Sequence, residues 1–575
     1  MIRVLTARDD ALLVELDDLD QAVALYESLT TDPVRGVGVP VPGARTLLVP
    51  FRPSAITAHA LAAELRTRPL ERRATSAART VEIPVRYDGA DLAEAAELIA
   101  WSTDELVRRH TAAAWTVGFV GFAPGFAYLT SDDPELVVPR RASPRTRVPA
   151  GSVALAGPYS GVYPRESPGG WQLVGRTDAL VWDVTRERPA LLLPGDEVRF
   201  VAVRATAEVR LDHAAGHGSA ARTVPDRMVE ADLPETAGPR PGGVEIVSPG
   251  VLALVQDLGR PGSEGSGVSA SGALDRPSLR AANRAVGNPP DAAVVESVGG
   301  LRLRAHGPQV LAVTGAAGEI VVRPGAGTGP GGAAPVAGAP DEPARHDRRL
   351  RSGEPFALDD GDVLRLAAPG RGLRAYVAVR GGIDVPPVLG SRATDVLAGL
   401  GPDPLGPGDL LPVGAPERGV PAAVPRSAPA SDDLPAPGEI TVLPIVLGPR
   451  DDWFDTAAIA RLTGQDWLVT PRSNRIGLRL DGDPLARVPE QDGAELPSEG
   501  CVTGAVQVPP DGLPVLFLAD HPLTGGYPVV GAVVADHVPL AGQLPAGALV
   551  RFEVRGRAPA ALPSDTVQHH PGGTP

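Results

Sequence analysis

The stretch TVGFVGFAPGFAYL, Thr116 to Leu129, indicates the fold of the first part of the chain. Two short apolar runs flank a Pro-Gly turn signal, and similar runs follow as SVALAG at 152–157, ALVWDV at 179–184 and DEVRFVAV at 196–203. Short apolar runs bounded by Pro, Gly or Asp are typical of β-strands. Many such strands with few helices predict a barrel or a sandwich.

Amphipathic patterns predict a smaller number of helices. Two of them, with a strand at Arg45–Phe51, predict a small α/β unit at the N-terminus. Ser102 lies inside a third helical region, where it can cap a second helical segment. The predicted helical regions are Leu16–Leu29, His59–Arg68, Asp91–His110, Arg276–Val286 and Asp455–Leu462.

Low-complexity stretches divide the chain. Residues 206–242 are polar and rich in Gly and Pro, which predicts a linker. Strand-like runs on both sides of 324–347 predict an extended hairpin loop there, whereas 415–438 predicts a joint between subdomains. The segment 556–575 predicts a disordered tail. The predicted domains are 1–80, 81–205, 243–414 and 439–555.

The composition excludes several mechanisms. With 575 residues, a prior of about 150 residues per domain predicts about four domains. All 54 basic residues are Arg, because the sequence contains no Lys. A Walker phosphate loop, a Schiff-base enzyme, bound pyridoxal phosphate and a biotin attachment site each require a Lys. The sequence therefore holds none of these sites.

Charge, cysteine and histidine content limit the partners, the compartment and the metal sites that the sequence predicts. A net charge of −15 disfavours nucleic acid as a partner. No signal-peptide pattern and no run of about 18 apolar residues is present, so neither secretion nor a membrane span is predicted. The single Cys501 excludes an internal disulfide and fits a cytoplasmic protein. The only close His pairs, His213/His217 and His569/His570, lack a third ligand, so no metal site is predicted.

Longer motifs carry a resemblance in the first half. GFAPGFAYL (121–129) is followed by PRTRVPAGSVALAG (144–157) and SPGGWQLVGRT (167–177). With these motifs, residues 1–205 resemble the family of allophanate hydrolase subunit 1, the B subunit of 5-oxoprolinase and the sporulation kinase inhibitor KipI.

A second set of motifs covers roughly residues 243–555. It consists of SPGVLALVQDLGRPG (248–262), GVSASGALD (267–275), NRAVGNPPDAAVVE (283–296), RGGIDVPPVLGSRAT (380–394), SNRIGLRL (473–480), SEG (498–500) and TGGYPVVG (524–531). This set resembles the partner family of allophanate hydrolase subunit 2, the C subunit of 5-oxoprolinase and KipA. The chain therefore looks like a fusion of the B and C subunits.

The resemblance implies a mainly β chain. It adds cyclophilin-like β-barrel domains in both halves to the α/β N-terminal domain, and it implies that the halves associate, which a linker promotes. The implied activity is that of an ATP-dependent 5-oxoprolinase, which opens 5-oxoproline to glutamate with a separate A subunit. ATP is then a co-substrate bound with or by that partner.

Two other functions are compatible with the same resemblance. One is the carboxyltransferase component of a biotin-dependent urea carboxylase or urea amidolyase system, for which a partner would have to supply biotin. The other is a KipI/KipA-like regulator of a histidine kinase, which binds without turnover.

The implied lactam chemistry needs an anion clamp, phosphate donors and a base for water. Without Lys, the clamp must use Arg or backbone N–H groups. Paired glycines allow a ligand to approach the backbone, although Gly-Gly also suits a tight hairpin, and a turn Arg is commonly a solvated hydrogen-bond donor. The candidates in the first half are Arg145, Arg147, Gly169, Gly170, Gln172 and Arg176.

The second half carries a similar set. Gln256, Asp257 and Glu296 are polar residues among apolar ones, which fits either a buried network or the lining of a cleft between the halves. The substrate-binding candidates are Gln256, Asp257, Arg260, Arg392, Asn474, Arg475, Gly525, Gly526 and Tyr527.

Two residues are candidate general bases. Glu499, in SEG, is the candidate carboxylate of the second half. His110 can act as a base or orient a substrate, but a His at a helix C-terminus also suits the helix dipole. His521 precedes TGGYP, where the resembled family more often carries a different polar residue, and is not assigned a role.

Overall fold

The computed structural model of the chain describes residues 2–71, 79–141, 143, 145–203, 242–325, 346–416, 419–422 and 433–555. The N-terminal unit is an antiparallel sheet in the order β1-β2-β4-β3 with two helices. Asp18 and Thr57 cap these helices by accepting from Gln21 N and Ala60 N. The elements are β1 Arg3–Arg8, β2 Ala11–Glu15, α1 Leu19–Thr31, β3 Val41–Pro42, β4 Thr46–Pro50 and α2 Ala58–Thr67.

The second unit is a seven-stranded sheet in the order β12-β9-β10-β7-β6-β13-β5. Its edges approach each other, since Arg86 and Arg176 exchange two backbone hydrogen bonds of 2.9 Å, which nearly closes a barrel. The elements are β5 Thr80–Val85, α3 Leu92–Leu98, α4 Thr103–Ala112, β6 Trp115–Val120, β7 Ala127–Ser131, β8 Arg145–Val148, β9 Ser152–Ala156, β10 Tyr159–Val162, β11 Ser167–Gly169, β12 Gln172–Arg176 and β13 Glu197–Ala202.

The second half begins with two sheets around one apolar core. Their orders are β20-β19-β22-β17-β14-β24 and β15-β16-β23-β18-β21. Helix α5 ends at Gly287, whose φ of 74° is the left-handed cap that Gly supplies. The elements are β14 Gly243–Ser248, β15 Leu252–Gln256, α5 Arg276–Val286, β16 Val294–Val298, β17 Leu301–His306, β18 Gln309–Gly315, β19 Ile320–Arg323, β20 Arg348–Leu350, β21 Phe356–Leu358, β22 Val363–Leu366, β23 Arg374–Val379 and β24 Leu410–Pro412.

The second half ends with a closed barrel in the order β25-β32-β29-β30-β27-β26-β33. The elements are β25 Ile440–Leu447, α6 Thr456–Gly464, β26 Trp467–Val469, β27 Gly477–Asp481, β28 Glu499–Gly500, β29 Ala505–Gln507, β30 Val515–Phe517, β31 Thr524–Gly525, β32 Val529–Val533, α7 Val538–Ala541 and β33 Leu549–Val554.

This closed barrel and the seven-stranded sheet share one local plan. In each, the first strand pairs in parallel with the last, β5 with β13 and β25 with β33. In each, a buried Trp follows a helix and donates its indole N–H to that helix, Trp115 to His110 O at 2.9 Å and Trp467 to Leu462 O at 3.0 Å. The mainly β prediction, with an α/β unit and barrels in both halves, is confirmed.

The two halves share an apolar core. Alternate residues of a strand point to opposite faces, so Leu12 and Val14 pack with the helices whereas Leu13 faces away from them. Leu13 and Leu48 join Phe517 of the closed barrel in one buried cluster. Every apolar residue of β2 is therefore buried, because the sheet lies between its own helices and the second half.

Several predicted elements are found with small shifts of boundary. Ser102 caps α4, as its position predicted, by accepting from Glu105 N at 3.1 Å. The strand predicted for ALVWDV was wrong, because this run forms only an isolated bridge from Trp182 to Ala190. Trp182 packs instead against Val268 of the second half.

The predicted low-complexity segments lie largely outside the described residues. Of 324–347, the described ends run into β19 and β20, which pair antiparallel. The linker at 206–242, the tail at 556–575 and both close His pairs fall outside the described ranges, except for Gly242. In the part of the chain that is described, no helix combines the length and hydropathy needed to span a bilayer.

Candidate functional site

A buried ion network centres on Arg475, between β26 and β27. The guanidinium donates to both carboxylate oxygens of Asp520 at 3.0 Å, to Glu296 Oε1 at 2.5 Å and to Gly272 O at 2.6 Å. Burial alone would lower the pKa of Arg475, but Asp520 and Glu296 raise it above its usual value. Exposed Asn474 stabilises the turn that contains Arg475, since its Oδ1 accepts from Ile476 N.

Two further buried arginines extend this network. Arg374 approaches Glu296 Oε1 at 3.4 Å, and Tyr376 donates to the other oxygen of Glu296 at 2.9 Å. Arg260 lies 3.7 Å from Asp395 and donates to Ala393 O. The network therefore joins β16, β23 and the closed barrel.

The pKa of Asp395 is raised within the network. Burial and the nearby charge of Asp520 raise the pKa of Asp395 to about 6. Its Oδ1 accepts from Leu397 N and Ala398 N at 3.0 and 2.8 Å, which holds a tight turn. Neither Asp395 nor Asp520 was among the sequence-based candidates, although the first follows the quoted SRAT run and the second precedes His521.

Three other candidates fix the segment 391–394. Asp257 accepts from Gly259 N, from Ser391 Oγ and from Arg392 N at 2.6–2.7 Å. Gln256 donates to Thr394 O at 2.8 Å. The Arg392 guanidinium points elsewhere, to Asp384 at 2.7 Å, so only its backbone joins this site.

Glu499 lies at the contact between the halves. Both its oxygens accept from the buried Arg450, which also donates to Glu15 of the N-terminal sheet at 3.2 Å. Burial raises the pKa of Glu499 and Arg450 opposes that rise. Gly525 pairs with Glu499 between β28 and β31, beside Gly526. These contacts favour a role for Glu499 in holding the halves together.

The other residues of TGGYP differ in exposure. Tyr527 is 44% exposed, and its carbonyl accepts from Gln507 Nε2 at 3.2 Å. Thr524 is buried, and its Oγ1 accepts from Phe122 N at 3.2 Å. Phe122 has a φ of 65°, a strained value for a residue with a Cβ, and such strain is characteristic of functional segments. The motifs GFAPGFAYL and TGGYP, from different halves, therefore meet directly.

Candidates of the first half gather around a group of tyrosines. A Cβ at Gly169 would lie 2.2 Å from Tyr163 Oη, so this close approach requires Gly. Gly170 O accepts from Arg141 N at 2.9 Å. Arg145 pairs with buried Asp91, and its Nη1 is buried without a hydrogen-bond partner.

Gln172 and the two remaining arginines differ in burial. Gln172 is buried, donates to Pro139 O at 3.4 Å and leaves its Oε1 without a partner. Arg147 and Arg176 are exposed and pair with Glu166 and Asp88 at 2.6 Å. Those two pairs face solvent.

His110 lies in the core of the seven-stranded sheet. Its ring nitrogens bond to Tyr87 Oη at 2.7 Å and Ser160 Oγ at 2.9 Å, and its ring stacks 4.4 Å from that of Phe200. Burial lowers its pKa to about 3, so it is neutral at physiological pH. These contacts favour the structural role for His110 over the predicted general base.

Similarly, buried His521 bonds through its ring nitrogens to Pro522 O and Thr503 Oγ1. Over the described residues, no group of three or more His, Cys, Asp and Glu side chains is arranged to hold a metal ion.

Comparison with known proteins agrees with this two-part organisation. Residues 2–192 match the family described as carboxyltransferase domain, subdomain C and D, and residues 266–554 match carboxyltransferase domain, subdomain A and B. The chain is 34% identical over 313 residues to the C subunit of 5-oxoprolinase from Escherichia coli K12, covering 54% of this chain and 90% of that protein.

Two further relatives match more restricted regions. The B subunit of 5-oxoprolinase from Escherichia coli O157:H7 is 51% identical over 126 residues, or 21% of this chain and 58% of that protein. Urea amidolyase of Lachancea kluyveri is 32% identical over 337 residues, or 54% of this chain but 17% of that protein.

A solved structure covers almost the whole chain. The crystal structure of TTHA0988 matches with a TM-score of 0.75 and 31% identity, over 96% of this chain and all of that one (100%). Both halves, and their arrangement in one polypeptide, therefore have a solved counterpart. The chain belongs to the carboxyltransferase-domain family, with subdomains C and D in its first half and subdomains A and B in its second.

Proposed function

We propose that the chain is the B–C component of an ATP-dependent 5-oxoprolinase, which opens 5-oxoproline to glutamate together with a separate A subunit. One observation carries the proposal: a single chain matches the B and C subunits of 5-oxoprolinase, and its two halves pack on one apolar core. Covalent fusion keeps the two parts in equal amounts and at high effective concentration.

The proposed reaction combines phosphorylation of the lactam with its hydrolysis. A lactam carbonyl is a poor electrophile, and transfer of the γ-phosphoryl group of ATP to its oxygen creates a good leaving group. Water then adds to the carbon and the ring C–N bond breaks, which frees the amine and leaves an acyl phosphate. A second water hydrolyses this acyl phosphate to the carboxylate of glutamate and phosphate. Arg and backbone N–H groups supply the anion contacts, because this chain has no Lys.

The buried network has a positioning role in this proposal. Arg475 directs its donors to protein acceptors, among them Asp520. Asp520 accepts from Val396 N and Asp395 accepts from Leu397 N, so both carboxylates hold the segment around 391–400. Such a network keeps neighbouring loops rigid, which catalysis by orientation requires.

The test combines the purified chain with a candidate A subunit. We expect ATP hydrolysis that depends on 5-oxoproline, with glutamate released in proportion. Omission of either protein is the control. Turnover by the partner alone, or no turnover by the mixture, contradicts the proposal.

A second candidate is the carboxyltransferase component of a biotin-dependent urea carboxylase. The match to urea amidolyase favours it. The biotin must then be attached to a partner, since this chain has no Lys. Carboxylation of urea by the chain with a biotinylated partner, without activity on 5-oxoproline, selects this function.

A further inference from the structure

Three tyrosines and two arginines of the first half form what we call the tyrosine–arginine cluster: Tyr128, Tyr159, Tyr163, Arg140 and Arg145. The rings of Tyr128 and Tyr159 are 5.7 Å apart at a right angle, and both are within the same aromatic group as Tyr163. Burial raises the pKa of all three tyrosines, and the charge of Arg140 opposes the rise at each. The three hydroxyl groups therefore lie near one exposed guanidinium.

The cluster is rich in hydrogen-bond donors that the protein leaves unused. Arg145 Nη1 is buried without a partner, although Asp91 pairs with the other end of the guanidinium. Arg140 is exposed and makes no ion pair with a described residue. Buried donors are nearly always paired in proteins, so an orphaned one beside exposed positive charge points to an anionic ligand.

A buried acceptor is linked to both arginines, because Leu173 N, next to Gln172, donates to the same Asp91 carboxylate that accepts from Arg145. Gln172 Nε2 donates to the carbonyl of Pro139, the residue before Arg140, and leaves the buried Oε1 without a partner. Gln172 is only 1% exposed. A lactam carries an N–H donor together with its carboxylate, which suits an amide acceptor beside guanidinium and phenol donors.

The cluster also contacts the second half. The Tyr128 hydroxyl hydrogen-bonds the side chain of Ser498, in SEG. Phe122, whose ring meets that of Tyr163 at 6.4 Å, donates from its backbone to Thr524. A ligand bound here therefore lies beside both halves. Arg140 is exposed, and Tyr159 and Gly170 are partly exposed.

We infer that the tyrosine–arginine cluster binds the carboxylate of a small lactam acid, with Gln172 accepting from the ring N–H. The inference rests on the proposed function for the identity of that acid, 5-oxoproline. It adds Arg140 and the three tyrosines to the sequence-based candidates and gives Gly169 a definite purpose, which is to admit the Tyr163 hydroxyl.

Calorimetric titration of the purified full-length chain, without any partner protein, tests the site. The probes are 5-oxoproline, pyrrolidin-2-one, which lacks the carboxylate, and inorganic phosphate. We expect 5-oxoproline to bind at least about tenfold more tightly than either of the others, because only it presents both a carboxylate and a lactam N–H. Tighter binding of phosphate or pyrrolidin-2-one, or no binding of 5-oxoproline, overturns the inference.

Matched variants locate the binding. Arg140→Gln removes the positive charge, and Tyr159→Phe removes a hydroxyl donor. Each is expected to weaken the binding of 5-oxoproline about 10- to 100-fold. Arg199→Gln is the control, because Arg199 is 65% exposed and pairs only loosely with Glu82 at 3.7 Å. Equal affinity in Arg140→Gln and the control, with melting temperatures unchanged, overturns the inference.

The proposed function can fail separately. If 5-oxoproline binds at the cluster but the mixture with the A subunit shows no turnover, the site stands and the oxoprolinase assignment falls. If the mixture turns over and Arg140→Gln leaves the KM for 5-oxoproline unchanged, the assignment stands and the site falls.

Discussion

Replacement of Arg475 by Met tests whether the buried network holds the second half together. The side chain of Arg475 is 1% exposed, and those of its partners Asp520 and Glu296 are 0% and 1% exposed. Met keeps much of the volume but leaves these carboxylates without their main counter-charge. Asp520 still accepts a hydrogen bond from Ser271 Oγ at 2.7 Å, and Glu296 still accepts one from Tyr376 at 2.9 Å. The two carboxylates therefore lose only part of their stabilisation.

Breaking a buried ion pair from one side costs about 3–5 kcal/mol. For a folding unit of about 150–250 residues, each kcal/mol lowers the melting temperature by about 2–4 °C, so we expect a fall of about 6–20 °C by calorimetry. Addition of Asp520→Asn should restore part of this loss, because it removes one stranded charge.

A matched control is available on the same barrel. Arg551 pairs with Asp466 at 2.7 and 2.9 Å, but the Arg551 side chain is 46% exposed. Arg551→Met should therefore change the melting temperature little, since solvent screens surface pairs. An equal effect of the two replacements, or a gain of stability in Arg475→Met, would show that the buried network does not hold the second half together.

Three further predictions concern the junction and two buried titratable groups. A Cβ at Gly121 would lie 2.2 Å from Thr524 Oγ1, so Gly121→Val should disrupt the contact between the halves. After cleavage at a protease site introduced between residues 203 and 242, the two halves of Gly121→Val should separate on gel filtration, whereas those of the parent should co-elute. The pKa of Asp395 is raised from an ordinary 3.8 to about 6, so the folded state binds its proton more tightly than the unfolded state. The free energy of unfolding should therefore fall as pH rises from about 4 to 6. The same pH dependence of stability in Asp395→Asn would contradict this. The lowered pKa of His110, about 3, makes stability fall as pH drops below 6.5; His110→Asn should lower the melting temperature and flatten that fall, while loss of kcat at an unchanged melting temperature would instead indicate a general base.

Local signals predicted much of the secondary structure. Ser102 and Gly287 mark a helix start and a helix end because each meets a requirement of the backbone next to it in sequence. Trp182 shows the limit of such signals: its apolar run suggested a strand, but the side chain packs on Val268, far away in sequence. A tertiary contact decided the conformation there.

Only part of the candidate site could be predicted from the sequence, because many of its contacts join residues that are far apart in the chain. Arg475 was selected because it lies in a motif, but its partner Glu296 is 179 positions away, and the Arg450–Glu15 pair spans 435 positions. No periodicity or spacing rule connects residues so distant. The tyrosine–arginine cluster could likewise not be predicted from the sequence, because only the folded sheet brings β7, β10 and the segment before β8 together.

The proposed function is tested most directly by measuring 5-oxoproline-dependent ATP hydrolysis in a mixture of the purified chain and an A subunit. We expect phosphate and glutamate to appear in equal amounts, only when both proteins are present. A mixture that releases neither product, or a partner that releases both without this chain, would contradict the proposed function.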